Sequence, residues 1–253
     1  MKSGKFLFAP VLWFLCVFAL LATWAIMEPE ALVRAFDADG RSPFELATLP
    51  FYAAIVPAVW IFCPFAGSRR RRIVLQLMVT IVALMAIVKE LDLHYLALEY
   101  FYPDFVTGEG LKPGVLVRPD GRPLSGTPFK LRVLTNAAAP LGIKAIIVAY
   151  FTLFFGLFAA GFAYLGFGWI KGVFTLDPAA WAFGCFGSSG VMVQCADRLP
   201  SWLGHRFGLS RGPGVTPLKS LMTAVEEGGE MMIAIFAILT IILAWRRLKV
   251  SRR

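Results

Sequence analysis

Residues 226–245 read EEGGEMMIAIFAILTIILAW: three carboxylates and two glycines, then an apolar run with no charge in it. Such a run, entered from Thr216-Pro217 and closed by Arg246, Arg247 and Lys249, is the signature of a helix whose solvent is lipid. From Pro217 to Trp245 it is roughly 42 Å long at 1.5 Å per residue, enough to cross a hydrocarbon core of about 30 Å and project beyond it. Composition extends this reading to the whole chain. The 253 residues are 58% hydrophobic and only 16% charged, with a mean hydropathy of +0.70. A water-soluble domain does not carry that balance on its surface.

Working outward, five more spans are expected, which makes an all-α membrane protein with six transmembrane helices in one domain, residues 1–253. The first runs from about Phe6 to Met27; Lys2 and Lys5 before it resemble a signal peptide, but the run is too long and the Ala22–Ala25 region is a poor cleavage site. The second opens on Ser42-Pro43-Phe44-Glu45, a capping box with proline at the first helical position. Its prolines at 43, 50, 57 and 64 fall seven apart, and those at 50 and 57 should bend it. The third runs from Ile73 to about His94, after four arginines at 69–72. The fourth runs from about Lys144 to Leu165, followed by a Gly-rich turn carrying Lys171. Asp177-Pro178 starts the fifth, which should stop near Pro200, with Gly184 and Ser188 set for close helix approach. Between the third and fourth, residues 95–140 form an extracytoplasmic loop in which Pro119-Asp120-Gly121 signals a small β-hairpin.

Charge fixes the orientation. The net charge is +9, from 25 Lys and Arg against 16 Asp and Glu, and the basic residues collect at helix ends, as topology and anionic headgroups require, so no nucleic acid partner is implied. Lys2, Lys5, Arg69–Arg72, Lys171 and the basic tail lie on one side in short segments, which places both termini in the cytoplasm of a bacterial inner membrane. Cys16, Cys63, Cys185 and Cys195 fall within apolar runs without metal-ligand spacing and are expected to be free packing thiols.

The candidate site follows from depth. Glu90 lies roughly 25 Å along the third helix from Ile73, near the outer hydrocarbon boundary. Asp197 on the fifth helix, and Glu226, Glu227 and Glu230 on the sixth, reach the same level. On a continuous helix Glu90 and His94 share a face while Asp92 points away. Glu226 and Glu230 are one turn apart, and Gly228 and Gly229 allow a backbone or a ligand to come close. Charges at this depth pair, face inward or line a watery cavity. Glu90, His94, Asp197, Glu226 and Glu230 are therefore the expected ligands of a periplasm-facing acidic site, with a divalent metal ion as its cofactor under one reading.

Three other readings share these residues. Lys89, Lys130, Arg132, Lys144, Arg198 and Lys219 can neutralise the acids, with Asp92 and Glu227, in an internal charge network; the acids can titrate along a proton or ion path; or the bases can hold an anionic lipid headgroup. His205, beside Arg206 in what reads as a loop, has no partner in sequence. Neither H-E-x-x-H nor G-x-S-x-G nor a phosphate loop occurs. The leading expectation is binding or transport of a cation or proton; a metal-dependent enzyme acting on a lipid or envelope substrate, and a structural subunit, are the alternatives.

Lys89-Glu90-Leu91-Asp92-Leu93-His94, Phe129-Lys130-Leu131-Arg132, Ala196-Asp197-Arg198-Leu199 and Glu226-Glu227-Gly228-Gly229-Glu230 together resemble a family of polytopic bacterial inner-membrane proteins with no established activity, over roughly residues 73–245. The resemblance implies that these charged groups belong together, and the stretch from Tyr95 to Lys130 is longer than the family leads one to expect. Membrane hydrolases of the alkaline ceramidase and adiponectin-receptor type need three histidines around zinc, and this chain has two, which excludes that comparison.

Overall fold

A computed structural model describes residues 5–37, 42–108, 110–117, 121, 123, 131–207 and 215–251. The described residues are mostly helical: α1 (Phe8–Ile26, after a 3-10 turn at Lys5–Leu7), α2 (Pro29–Phe36), α3 (Pro43–Phe62), α4 (Arg69–Glu90), α5 (Leu93–Phe101), α6 (Leu131–Leu134), α7 (Leu141–Phe174), α8 (Pro178–Phe207) and α9 (Pro217–Ser251). Five helical segments are long and apolar enough to cross a membrane: α1, α3, α4, residues Leu141–Gly161 of α7, and α9. By length and composition, then, this is a membrane protein.

The sixth expected span, α8, is not among them. Its middle carries Gly184, Gly187, Ser188, Ser189, Gly190 and Gln194, small and polar residues that lower its hydropathy and let it lie close to another helix. It also passes through Pro200 instead of ending there. Proline bends a helix without ending it where the freed carbonyl is satisfied elsewhere. Likewise α7 continues past Leu165 to Phe174, because isolated glycines cost a helix only about 1 kcal/mol each. The turn after it shrinks to residues 175–177, with Leu176 at φ 56°.

The chain divides into two compact units, Met1–Ile87 with Leu165–Arg253 and Val88–Tyr164. In the first, α9 is the common partner of α8, α3, α2 and α1. Its buried positions include Ser220, Thr223, Ala224, Met232, Ala234, Phe236 and Ile241. These positions fall on more than one side of the helix, so α9 meets several neighbours at once. Tyr52, Ile55, Ala58 and Val59 of α3 pack with Ala234 and Ile241, while Ala182 and Cys185 of α8 and Ala9 of α1 pack with Met232 and Phe236. The opposite face of α1, with Phe8, Val11, Phe14, Leu15 and Phe18, is exposed at helical spacing, as suits lipid contact.

The expected capping box is present: the Glu45 amide donates to Ser42 Oγ at 3.0 Å and the Ser42 amide to Glu45 Oε2 at 2.7 Å. The short α2 is amphipathic, and its Leu32 and Phe36 pack with Ala224 and Phe44. Two polar groups within the helices are satisfied across helix boundaries. Trp13 Nε1 donates to Ser189 Oγ at 3.1 Å, and Gln76 Nε2 to the Val59 carbonyl at 3.0 Å.

The second unit shows that residues 95–140 are more than a loop. Leu98, Phe105, Val106, Leu111, Leu116 and Val133 form a core with Ile143 and Ile147 of α7, so the segment buries apolar area of its own. A two-stranded antiparallel ladder joins Val106 to Leu111 and Thr107 to Gly110, about ten residues before the expected hairpin. At the expected position an antiparallel bridge links Val117 to Pro123, with Pro119 and Asp120 outside the described residues. Gly142 is pressed against Tyr102, whose ring would overlap any added Cβ, and this anchors the cap to the first turn of α7.

Candidate functional site

Helix α9 sets the level of the site. Glu230 lies roughly 24 Å from Arg246 along the helix, hence close to the far boundary of a hydrocarbon core of about 30 Å. It is buried, only 7% exposed, although it is a carboxylic acid. Glu226 and Glu227 are half-buried. Carboxylate oxygens of Glu227 and Glu230 come within 4.8 Å of one another. Sequence spacing favoured Glu226 as the partner of Glu230, one turn back; the pair that meets is at i and i+3, which also share a helix face. Nothing in the sequence distinguishes these two registers.

The two glycines between the acids have a packing role. A Cβ on Gly228 would fall 2.3 Å from Leu20 Cδ2 of α1, and one on Gly229 would fall 2.5 Å from Val193 Cγ2 and 3.2 Å from Met192 Cε of α8. They let α1 and α8 close onto α9 and so bury the acidic turn. Tyr52 of α3 donates its hydroxyl to the Glu230 carbonyl at 3.1 Å, which fixes a third neighbour at this level. Tyr52 escaped the sequence reading because nothing there sets the rotation of α3.

The other expected site residues distribute differently. Asp197 is exposed on α8 and pairs with its neighbour Arg198 at 3.2 Å, so it does not turn inward as expected. The face of α8 that packs holds Ser189, Val193 and Ala196, and Asp197, one turn beyond Val193, lies at the edge of that face. His205 belongs to α8 and not to a loop. Lys219 is exposed in the first turn of α9, where its amide donates to Thr216 Oγ1 as the expected cap requires.

In the second unit, Glu90 is the last residue of α4. Its side chain is buried and Lys89 Nζ lies 3.3 Å from Oε1. The helix breaks immediately afterwards: Asp92 adopts a left-handed conformation, φ 50°, and its carbonyl accepts from the Tyr95 and Leu96 amides at the start of α5. Glu90 and His94 therefore stand on two helices and do not share a face. His94 is half-buried and its ring hydrogen-bonds the Val88 carbonyl. Burial lowers its pKa from the usual 6.5, and that bond and the Asp92 charge only partly oppose the effect. Lys144 is half-buried near the start of α7. Lys130 lies outside the described residues, as does the side chain of Arg132.

What the arrangement can do chemically follows from the Glu227–Glu230 pair. Two carboxylates this close, one of them out of water, repel when both are ionised, so the pair favours a shared proton or a cation. Comparison with protein-family models, with curated proteins and with solved structures finds no match to this chain.

Proposed function

We propose that the acidic turn of α9 binds a cation, or the proton that takes its place, at the periplasmic face of a bacterial inner membrane, with both termini in the cytoplasm. The observation that carries this is the approach of the Glu227 and Glu230 carboxylates to within 4.8 Å with Glu230 buried. A divalent metal suits such oxygen donors, and α9 offers a rigid mount for them. Binding is favoured over transport. From Met231 to Trp245 the helix carries no ionisable residue, so nothing along α9 relays charge to the other side. The likeness to the inner-membrane family belongs to the same reading.

Elemental analysis of the purified protein beside Glu230→Gln and Glu227→Gln variants tests it. Near-stoichiometric divalent metal in the parent, lost in both variants, is the expected result. If the parent is metal-free, the pair must instead hold a proton, and Glu230→Gln must then reduce proton uptake between pH 4 and 9. Absence of metal together with identical titrations sinks the proposal. The same measurements on Glu90→Gln decide whether Glu90 acts with this pair, as the sequence suggests.

A structural role has its own support in the ion pairs Lys89–Glu90, Arg198–Asp197 and Arg247–Asp177. Such pairing accounts for Asp177 and Asp197 without any ligand.

A further inference from the structure

The opposite end of α9 carries the reverse charge. Arg246, Arg247 and Lys249 are exposed in its last turns, and Arg69, Arg70 and Arg71 are exposed in the first turn of α4. Within this unit the two groups share one level. The Phe62 ring, at the end of α3, lies 5.2 Å from the Trp245 ring; Phe65 packs in the same cluster as Ile241; and residues 63–68 lead straight into Arg69. The Arg71 stem folds back over the Gly67 turn, 3.1 Å from where a Cβ would stand.

No acid occurs in residues 63–72 or 244–253, and Arg247 pairs with Asp177 of the turn before α8. Guanidinium groups crowded at a helix N-terminus also oppose the helix dipole, which favours negative charge there. An array of this kind is stable where anions are at hand. Both groups sit one turn beyond apolar spans, beginning at Ile73 and ending at Trp245, which is the depth of headgroup phosphates. Lys249 lies over the Trp245 ring, 5.1 Å from its centroid, an arrangement suited to the interface.

We infer that this end of the unit, Arg69–Arg72 with Arg246 and Lys249, is a binding surface for anionic phospholipid headgroups, the arginines taking the phosphodiester oxygens in pairs. The inference rests on the apolar spans and is independent of the acidic site at the other end.

The test uses the full-length protein purified in neutral detergent, with phosphatidylglycerol or phosphatidylcholine added in mixed micelles and bound lipid read by native mass spectrometry and thermal shift. Phosphatidylglycerol should bind and raise Tm while phosphatidylcholine does not. Arg69→Gln and Arg246→Gln should each weaken phosphatidylglycerol binding about fivefold, from roughly 1 kcal/mol per basic group near an anionic surface. Arg34→Gln, an exposed arginine on α2 near the other end of α9, should leave it unchanged. Equal effects of the two lipids, or no loss in either variant, overturn the inference. So does equal protection by inorganic phosphate or by a short oligonucleotide, which would assign the surface to another anion.

Discussion

The two ends of α9 carry opposite charge and are treated in opposite ways. At the acidic end Glu230 is 7% exposed and held between α1, α3 and α8; at the basic end Arg246 and Arg247 reach outward. A buried charge depends on a compensating partner and on close packing that excludes water, so its environment is stringent. An exposed charge needs only the solvent and tolerates change. One helix thus places a demanding group at one boundary and permissive groups at the other.

The contrast breaks most visibly under charge reversal. Glu230→Lys should destabilise the protein by roughly 4 kcal/mol, whereas Arg246→Glu in neutral detergent should stay within about 0.5 kcal/mol; thermal unfolding of both in one detergent checks this, and equal effects would end the comparison. Next comes packing. Gly229→Leu must displace Val193 and Met192 of α8 and should cost roughly 3 kcal/mol, read as a lower Tm and a loss of helicity on heating. Tyr52→Phe removes the hydroxyl donated to the Glu230 carbonyl and should cost about 1 kcal/mol; an unchanged melting curve would show that α3 does not brace the acidic turn. At the basic end Arg247→Gln breaks the pair with Asp177, but with the guanidinium 60% exposed the loss should not exceed about 0.5 kcal/mol and should vanish in high salt.

The smallest expected signal comes from the second unit. Burial lowers the His94 pKa, so the unfolded chain takes up a proton at a higher pH than the folded one. The associated stability is fully present above the usual value of 6.5, declines as pH falls below it, and levels off beneath the folded value. Urea unfolding followed through this window, with His94→Gln as the flat reference, measures it. A stability that rose on acidification would reverse the sign.

Much of this was legible where a signal is local. The capping box at Ser42, the Thr216 cap, the apolar spans and the buried depth of Glu230 all follow from short-range pattern and helix rise. The break at Asp92 did not, because Lys89–His94 contains neither glycine nor proline and its left-handed residue is an aspartate, a residue type that tolerates this conformation without advertising it. The ladder at Val106 and Leu111 was not anticipated, because no proline, aspartate–glycine or asparagine–glycine turn marks it and its pairing depends on the core that Val106 and Leu111 enter. Which of Glu226 and Glu227 approaches Glu230 depends on side-chain rotamers, which helix spacing leaves open.

Helix α9 follows every other described helix in the chain, yet it is the one that α1, α2, α3 and α8 share. During synthesis the earlier spans must therefore enter lipid and wait, held in place by hydropathy alone, until α9 arrives to assemble them. Ribosome stalling before residue 217 should leave α1, α3 and α4 inserted but open to protease and to one another, with the native arrangement sealed only once α9 has been made.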